Sequence, residues 1–384
     1  MSLWLIIPRD PLIFRDGKPF TATPGERAKS LIFPFPSTVA GAVRTLAGTD
    51  SATGRFDTSR TTEVKQIIVR GPVLVELNEN GQIKDRFFPA PADALLVQKE
   101  GLIKRYYLSP LQMPTGALSD LDGLKLVGPT VNIKDKPVSN PPRYWNQKQF
   151  ETWLENPTDG LVTRDELGIQ GPARESRTHV NITPETLTAA PGALFQTSGM
   201  EFVQLETEKD ELPKLKEARL LALVLETAAS LKNGLGFLGG ERRVARWQKA
   251  DTGLPDCPPA IRKKIIEQGH CRLVLATPAF FEAGHLPTWL KKTYDVTIQA
   301  VALPRYQTIS GWDYEIPRPK PTRRLVPAGS VYFLKFEGEK SAIQNFVDDL
   351  WLSPVSDDEQ SRRDGFGLAL LGVWAGNLRK MEVK

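Results

Sequence analysis

Apolar residues recur along this chain in short, separated runs. Leu3–Ile7 is a compact apolar run that predicts an opening strand. After Phe33-Pro-Phe-Pro-Ser-Thr, the apolar positions Val39, Ala40, Val43, Leu46 and Ala47 follow helical spacing. They predict a helix with Ser37 as its N-cap and Gly48 as its stop. Val64–Leu77 is rich in Val and Ile and broken by Gly71-Pro72, so it reads as one bent strand or two. Ala193–Glu206 is strand-like. Lys214–Lys232 places Leu221, Val224, Leu225, Ala228 and Leu231 at helical spacing and predicts the strongest helix of the chain. Arg242–Gln248 fits a short basic strand.

The stretch from about Phe87 to Pro191 is Pro-rich and has no long periodic element, which predicts an irregular insertion. The C-terminal part is cleaner. It predicts strands at Cys271–Ala276, Asp295–Leu303, Gly329–Phe336 and Phe366–Trp374. Helices are predicted at Leu286–Thr293 and at Ser341–Leu352, the second capped by Ser341. That order is βαββαβ, the ferredoxin-like unit. The N-terminal elements give the same order once the insertion is set aside. The expected fold is therefore α+β: two tandem ferredoxin-like (RRM-like) domains, at 1–255 and 256–384. The first carries the long insertion at about 85–190.

Composition narrows the function classes. The chain has 384 residues with 40% hydrophobic and 25% charged, ordinary for a globular protein with a sizeable core. Fifty Lys+Arg against 45 Asp+Glu leave a net charge of +5, which permits nucleic-acid binding without requiring it. Two cysteines, Cys257 and Cys271, are too few for a tetrahedral zinc site, and His179, His270 and His285 are scattered. Both thiols read as reduced and structural; no metal or cofactor is expected. The start has no basic segment ahead of its brief apolar run, and no run approaches the roughly 20 apolar residues that span a bilayer. The expected location is the cytoplasm, with no membrane partner.

The chemistry-bearing candidates are mostly glycines and arginines. Gly234-Leu-Gly236-Phe-Leu-Gly239 matches a dinucleotide-loop pattern, but it follows the predicted helix instead of opening one, so that reading fails. Gly236, Gly239 and Gly240 could instead turn backbone N–H groups outward for a close ligand. Arg242, Arg243 and Arg246 follow at once; across Lys232–Lys249 five basic residues face only Glu241, with Phe237 and Trp247 among them. Exposed backbone, arginines and flat side chains suit single-stranded RNA. A capping loop with a solvated basic edge fits equally well. If the loop holds RNA, an aspartate at 239 should repel it and leave the fold intact.

Ser37, Thr38, Gly41 and Arg44 belong to a small, basic helix face that could seat a phosphate, or to an ordinary capped helix. Arg174 and Arg177 lie in the insertion, where a hairpin reaching toward a partner and a plain surface loop are both open. Trp312 stands beside a basic loop carrying Arg318, Lys320, Arg323 and Arg324. Gly365-Phe-Gly367 suggests close backbone approach. No H-E-x-x-H, G-x-S-x-G or Walker A pattern occurs.

Pro8-Arg-Asp-Pro-Leu-Ile-Phe-Arg-Asp-Gly17, Phe33–Arg44, Leu238-Gly-Gly-Glu-Arg-Arg243, Ala276-Thr-Pro-Ala279, Ile309-Ser-Gly-Trp-Asp313, Val326-Pro-Ala-Gly-Ser-Val331 and Gly365–Gly372 form an ordered set. Together they resemble the third subunit of the Cmr complex, the type III-B CRISPR-associated RAMP assembly, nearly end to end. The resemblance implies tandem ferredoxin-like domains and a non-catalytic subunit that caps the 5′ tag of the CRISPR RNA. It implies contacts with the large polymerase/cyclase-like subunit and the first backbone subunit within a hetero-oligomeric ribonucleoprotein. It also implies a thumb hairpin from the insertion. The alternative from the same superfamily is an endoribonuclease that processes CRISPR transcripts. Such an enzyme commonly uses a histidine near a glycine-rich loop, and none is close to Gly234–Gly240 or Gly365–Gly367 in this sequence.

Overall fold

A computed structural model describes residues 1–15, 30–50, 52–121, 123–129, 131–207, 215–313 and 318–380. The fold is α+β with mostly antiparallel sheets. The N-terminal sheet is built around Ser2–Pro8, which pairs antiparallel with Leu215–Thr227 on one side and Val244–Lys249 on the other. Beyond Leu215–Thr227 lies Val69–Leu77, and beyond Val244–Lys249 the short strand Gly234–Phe237.

The predicted helix at Lys214–Lys232 is instead the strand Leu215–Thr227. Leu221, Ala222, Leu223, Val224 and Leu225 are all fully buried. Leu221, Leu223 and Leu225 face the helix Pro36–Gly48, while Ala222 and Val224 face the main core on the other side. A central strand covered on both faces reads as an unbroken apolar run, and such a run satisfies helical spacing by accident. Two smaller expectations also shift. Val64 sits in a short helix, Thr61–Lys65, and the strand begins at Val69. Ala193–Glu206 divides between Thr188–Glu201 and Val203–Thr207, of which only the second joins this sheet.

The segment expected to be irregular is largely structured. Helix Gln147–Glu155 is capped by the Asn146 side chain and buries Phe150, Trp153 and Leu154. Phe88 stacks on Phe150 at 5.0 Å, and Trp145 meets Trp153 edge-on at 5.6 Å. These aromatics are spaced by tertiary contact and not by a repeat, so periodicity alone misses them. Within the same segment, Ala173–Thr183 and Thr188–Glu201 form a long two-stranded hairpin.

The C-terminal sheet runs Val296–Ala302, Val331–Phe336, His270–Leu275, Ala369–Val373, every pair antiparallel. Numbered within their own half, the strands lie in the order second, third, first, fourth. Helices Trp289–Tyr294 and Lys340–Leu350 follow its first and third strands. The cap of the second helix is Glu339 with no side-chain bond, not Ser341. In the N-terminal sheet Val69–Leu77, Leu215–Thr227, Ser2–Pro8 and Val244–Lys249 repeat that order. No helix of the first half corresponds to Lys340–Leu350; the glycine-rich residues 228–243 make that link.

One continuous core joins the two halves and the inserted segment. At its centre Arg272 and Asp93, both fully buried, form an ion pair of 2.5 Å. Arg272 also donates to the carbonyls of Val373, Trp153 and Leu154, and Asp93 accepts from the Trp153 indole. Gly365 packs on the backbone of Val69 and Gly71, where a Cβ would come within 2.7 Å of the Val69 carbonyl. That is the close approach its sequence suggested. Both cysteines are free: Cys271 is buried, and burial pushes the Cys257 thiol up to about 12.

Candidate nucleic-acid interface

The Pro36–Gly48 helix positions the site. Phe35 is its N-cap, Pro36 opens the first turn, and Ser37 and Thr38 therefore lie inside that turn and do not cap it. The Thr38 N–H already bonds the Phe35 carbonyl at 3.0 Å. Gly41 is exposed, and a Cβ there would meet nothing within 4 Å. A helix interior normally favours alanine over glycine by about 1 kcal/mol, so packing gives no reason for Gly41.

Further along the same helix the surface is covered. Arg44 pairs with Asp364 at 2.5 Å and bonds the Ile67 carbonyl at 2.9 Å, with 12% of its side chain exposed. Gly48 lies against the Phe56 ring. Ser37, Gly41, Arg44 and Gly48 thus do not make one open basic face. Arg44 ties the helix to the C-terminal half.

The glycine loop is more constrained than its sequence suggests. Gly236 is buried against Trp247 and Leu46; a Cβ there would lie 2.8 Å from the indole nitrogen. Gly239 has φ +80°, and its Cβ would lie 2.5 Å from the Ile13 carbonyl. The Gly240 N–H does not face outward, because it donates to that same carbonyl at 2.7 Å. An aspartate at 239 therefore strains the fold itself. Trp247 is 1% exposed and unavailable for stacking.

What remains open is the outer side of the Gly234–Phe237 and Val244–Lys249 pair. Leu235 stands opposite Arg246 and Phe237 opposite Val244, so all four point to one side. Leu235 is 70% exposed and Phe237 50%. The Arg242 guanidinium lies over the Phe237 ring at 4.7 Å. Arg242 and Arg246 are exposed. Glu241 takes up Arg15 at 3.1 Å and Arg243 at 3.0 Å, which leaves the charges of Arg242 and Arg246 unmatched by a carboxylate among the described residues. A flat ring, two cations and an aliphatic neighbour can hold a phosphate and stack a base.

Residues 11–14 connect this patch to the long hairpin. Leu12 bridges Met200, and Ile13 packs under Gly239 and Gly240. Arg174 bonds the Ser30 carbonyl at the hairpin base, whereas Arg177 pairs with Glu175 at 2.8 Å. Trp312 is remote from the patch in the chain; its backbone pairs with Pro319, and its side chain lies outside the described residues. Near it, Arg324 lies over the exposed Tyr306 at 5.0 Å. The Arg305-Tyr306 dipeptide was the signal for that second cation–ring pair. Arg323 is held by Asp358 at 3.1 Å.

Among the described residues no three His, Cys, Asp or Glu side chains converge as metal ligands, and no helix is long and apolar enough to cross a membrane. The family model of the CRISPR-associated protein (Cas_Cmr3) matches residues 4–374. The chain belongs to this family. The match bears out the resemblance to the third Cmr subunit. No curated protein matches the sequence. Two solved chains are similar over 86% of this chain and 86% of their own length. One, at 17% identity and TM-score 0.46, comes from the type III-B Cmr-beta complex bound to cognate target RNA. The other, at 16% and 0.45, comes from that complex bound to cognate target RNA and AMPPnP. Within the family match lie the helix, the glycine loop and the exposed Phe237–Arg242 face.

Proposed function

We propose that this chain is a non-catalytic RNA-binding subunit of a type III-B CRISPR effector complex, capping the 5′ tag of the CRISPR RNA in the cytoplasm. Its two halves are read as tandem ferredoxin-like units dividing near residue 255, and their common strand order supports this. On this reading the chain links the large polymerase/cyclase-like subunit to the backbone, with the Ala173–Glu201 hairpin as its thumb. The observation that carries the RNA role is the exposed Phe237 ring under Arg242, with Arg246 beside it on the same side. Such a surface has no structural use within the chain.

The test compares tagged and untagged guide RNA in reconstituted complexes at fixed salt. Retention of this chain should depend on the tag. Equal retention with both guides would overturn the capping role. The pure chain incubated with repeat RNA and no metal should leave it intact. Cleavage lost on replacing His179, His270 or His285 would instead make the chain a processing endoribonuclease.

A further inference from the structure

A cavity of about 270 Å³ opens beside the C-terminal sheet, far along the chain from the glycine loop. Tyr107, Ser109, Lys264, Trp374, Asn377 and Arg379 line it. Tyr107 is 6% exposed and Trp374 4%. The Tyr107 hydroxyl and the Trp374 indole nitrogen are both buried without a hydrogen-bond partner. An unpaired buried polar group costs about 1–3 kcal/mol, and folded proteins rarely leave one. Two at one cavity imply a partner that comes from outside the chain.

The chemistry of the groups selects that partner. The indole N–H can only donate. Burial pushes the Tyr107 hydroxyl up to about 12, so it keeps its proton and donates too. Its ring lies between the Arg272 guanidinium at 5.6 Å and that of Arg379 at 5.3 Å. The one carboxylate in the lining, Glu155, is paired with Lys264 at 2.9 Å. The occupant must therefore bring acceptors and negative charge. The volume would hold roughly nine waters at about 30 Å³ each, more than a bare phosphate needs. Val373, Pro157 and Ala375 give it an apolar wall for an organic group.

The outer wall is built, and it lies past the family match, which ends at residue 374. Gly376 has φ +76°, and a Cβ there would lie 2.6 Å from the His270 ring. His270 stands edge-on to Trp374 at 5.2 Å. Arg379–Lys380 then pairs with Ser109–Gln112 and closes the tail over the cavity. We propose that this cavity binds a phosphate monoester on a small organic group, a mononucleotide or a phosphorylated strand end, with Tyr107, Trp374 and Arg379 as donors.

Titrating the full chain with uridine 5′-monophosphate, inorganic phosphate and uridine tests this by calorimetry and melting temperature. The monophosphate should bind and raise the melting temperature, phosphate more weakly, uridine not at all. Tyr107→Phe removes one donor and keeps the ring, so affinity should fall about tenfold. The unliganded variant should melt no lower than the parent, because only an unpaired hydroxyl is lost. Arg242→Ala with Arg246→Ala should leave this binding unchanged, which separates it from the proposed RNA face. A 5′-phosphorylated trinucleotide binding as tightly as the mononucleotide would point to a strand end, and weaker binding to a free nucleotide. No shift with the monophosphate, or one unaltered by both Tyr107→Phe and Arg379→Ala, would overturn the site.

Discussion

The two four-stranded sheets share a strand order but differ in what joins the third strand to the fourth. In the C-terminal half the link holds the helix Lys340–Leu350, which buries Ile343, Phe346, Val347 and Leu350. In the N-terminal half residues 228–243 form a glycine loop and a short edge strand instead, with Leu235 and Phe237 left in solvent. A helix at that place closes a face and adds stability. A loop at the same place leaves side chains free for a ligand, and its glycines hold it against residues 11–14. The first half thus carries the candidate interface because it lacks the helix that the second half has. The second half, with the inserted segment, supplies the rigid body.

The largest expected effect breaks that rigid body. Arg272→Met leaves Asp93 buried without its cation, which should cost about 3–5 kcal/mol. Urea unfolding should show a cooperative loss of that size. Arg272→Met with Asp93→Leu should recover much of it, since no charge is then left buried. A loss below about 1 kcal/mol for the single variant would show that the joint between insertion and sheet does not depend on this pair.

Two glycines should respond with opposite signs, because one is held by the fold and the other is not. Gly239→Asp puts a side chain on a left-handed backbone against the Ile13 carbonyl, so stability should fall by about 1–3 kcal/mol before any RNA is present. Gly41→Ala meets open space within a helix and should raise stability by about 0.5–1 kcal/mol. If guide RNA lies against Gly41, that same variant should bind it more weakly than the parent. Thermal melting of the isolated chain and RNA titration of the complex separate the two effects. A stabilised Gly41→Ala with full RNA affinity would remove the helix from the interface and leave the Phe237 face alone.

The C-terminal half was largely legible in the sequence, and the N-terminal half only in part. Short strands exposed on one side and helices with a single apolar stripe announce their period, as Val331–Phe336 and Lys340–Leu350 do. Leu215–Thr227 is buried on both sides, so its pattern carries no period of its own and was read as a helix. The inserted segment is held by Trp145, Trp153, Phe88 and the Arg272–Asp93 pair, contacts between residues far apart in sequence that leave no local signature. At the candidate site, the clustering of arginine, glycine and aromatic residues was visible. Which of them face solvent was not. Trp247 and Phe237 look alike in the sequence, yet the β alternation sends one into the core and the other outward. Arg44 shows the same limit, because its carboxylate partner, Asp364, lies 320 residues away.

The smallest effect on stability is the one that decides the comparison. Phe237, Arg242 and Arg246 are exposed, so replacing them by alanine should move stability by less than about 0.5 kcal/mol. Binding of guide RNA should fall, and salt should tell the contributions apart. Each arginine that neutralises a phosphate releases counterions, so its loss should reduce the slope of log affinity against log salt by about 0.7 for a single strand. Losing both arginines should reduce it by about 1.4. Phe237 contributes stacking and carries no charge. Phe237→Ala should therefore cost about 1–3 kcal/mol of binding, with an unchanged slope. A variant pair with the parent's slope would mean that Arg242 and Arg246 face a protein partner and not a phosphate. A Phe237→Ala chain with full affinity would leave only charge on this face, and the open edge that distinguishes the N-terminal half would then have no base-stacking role.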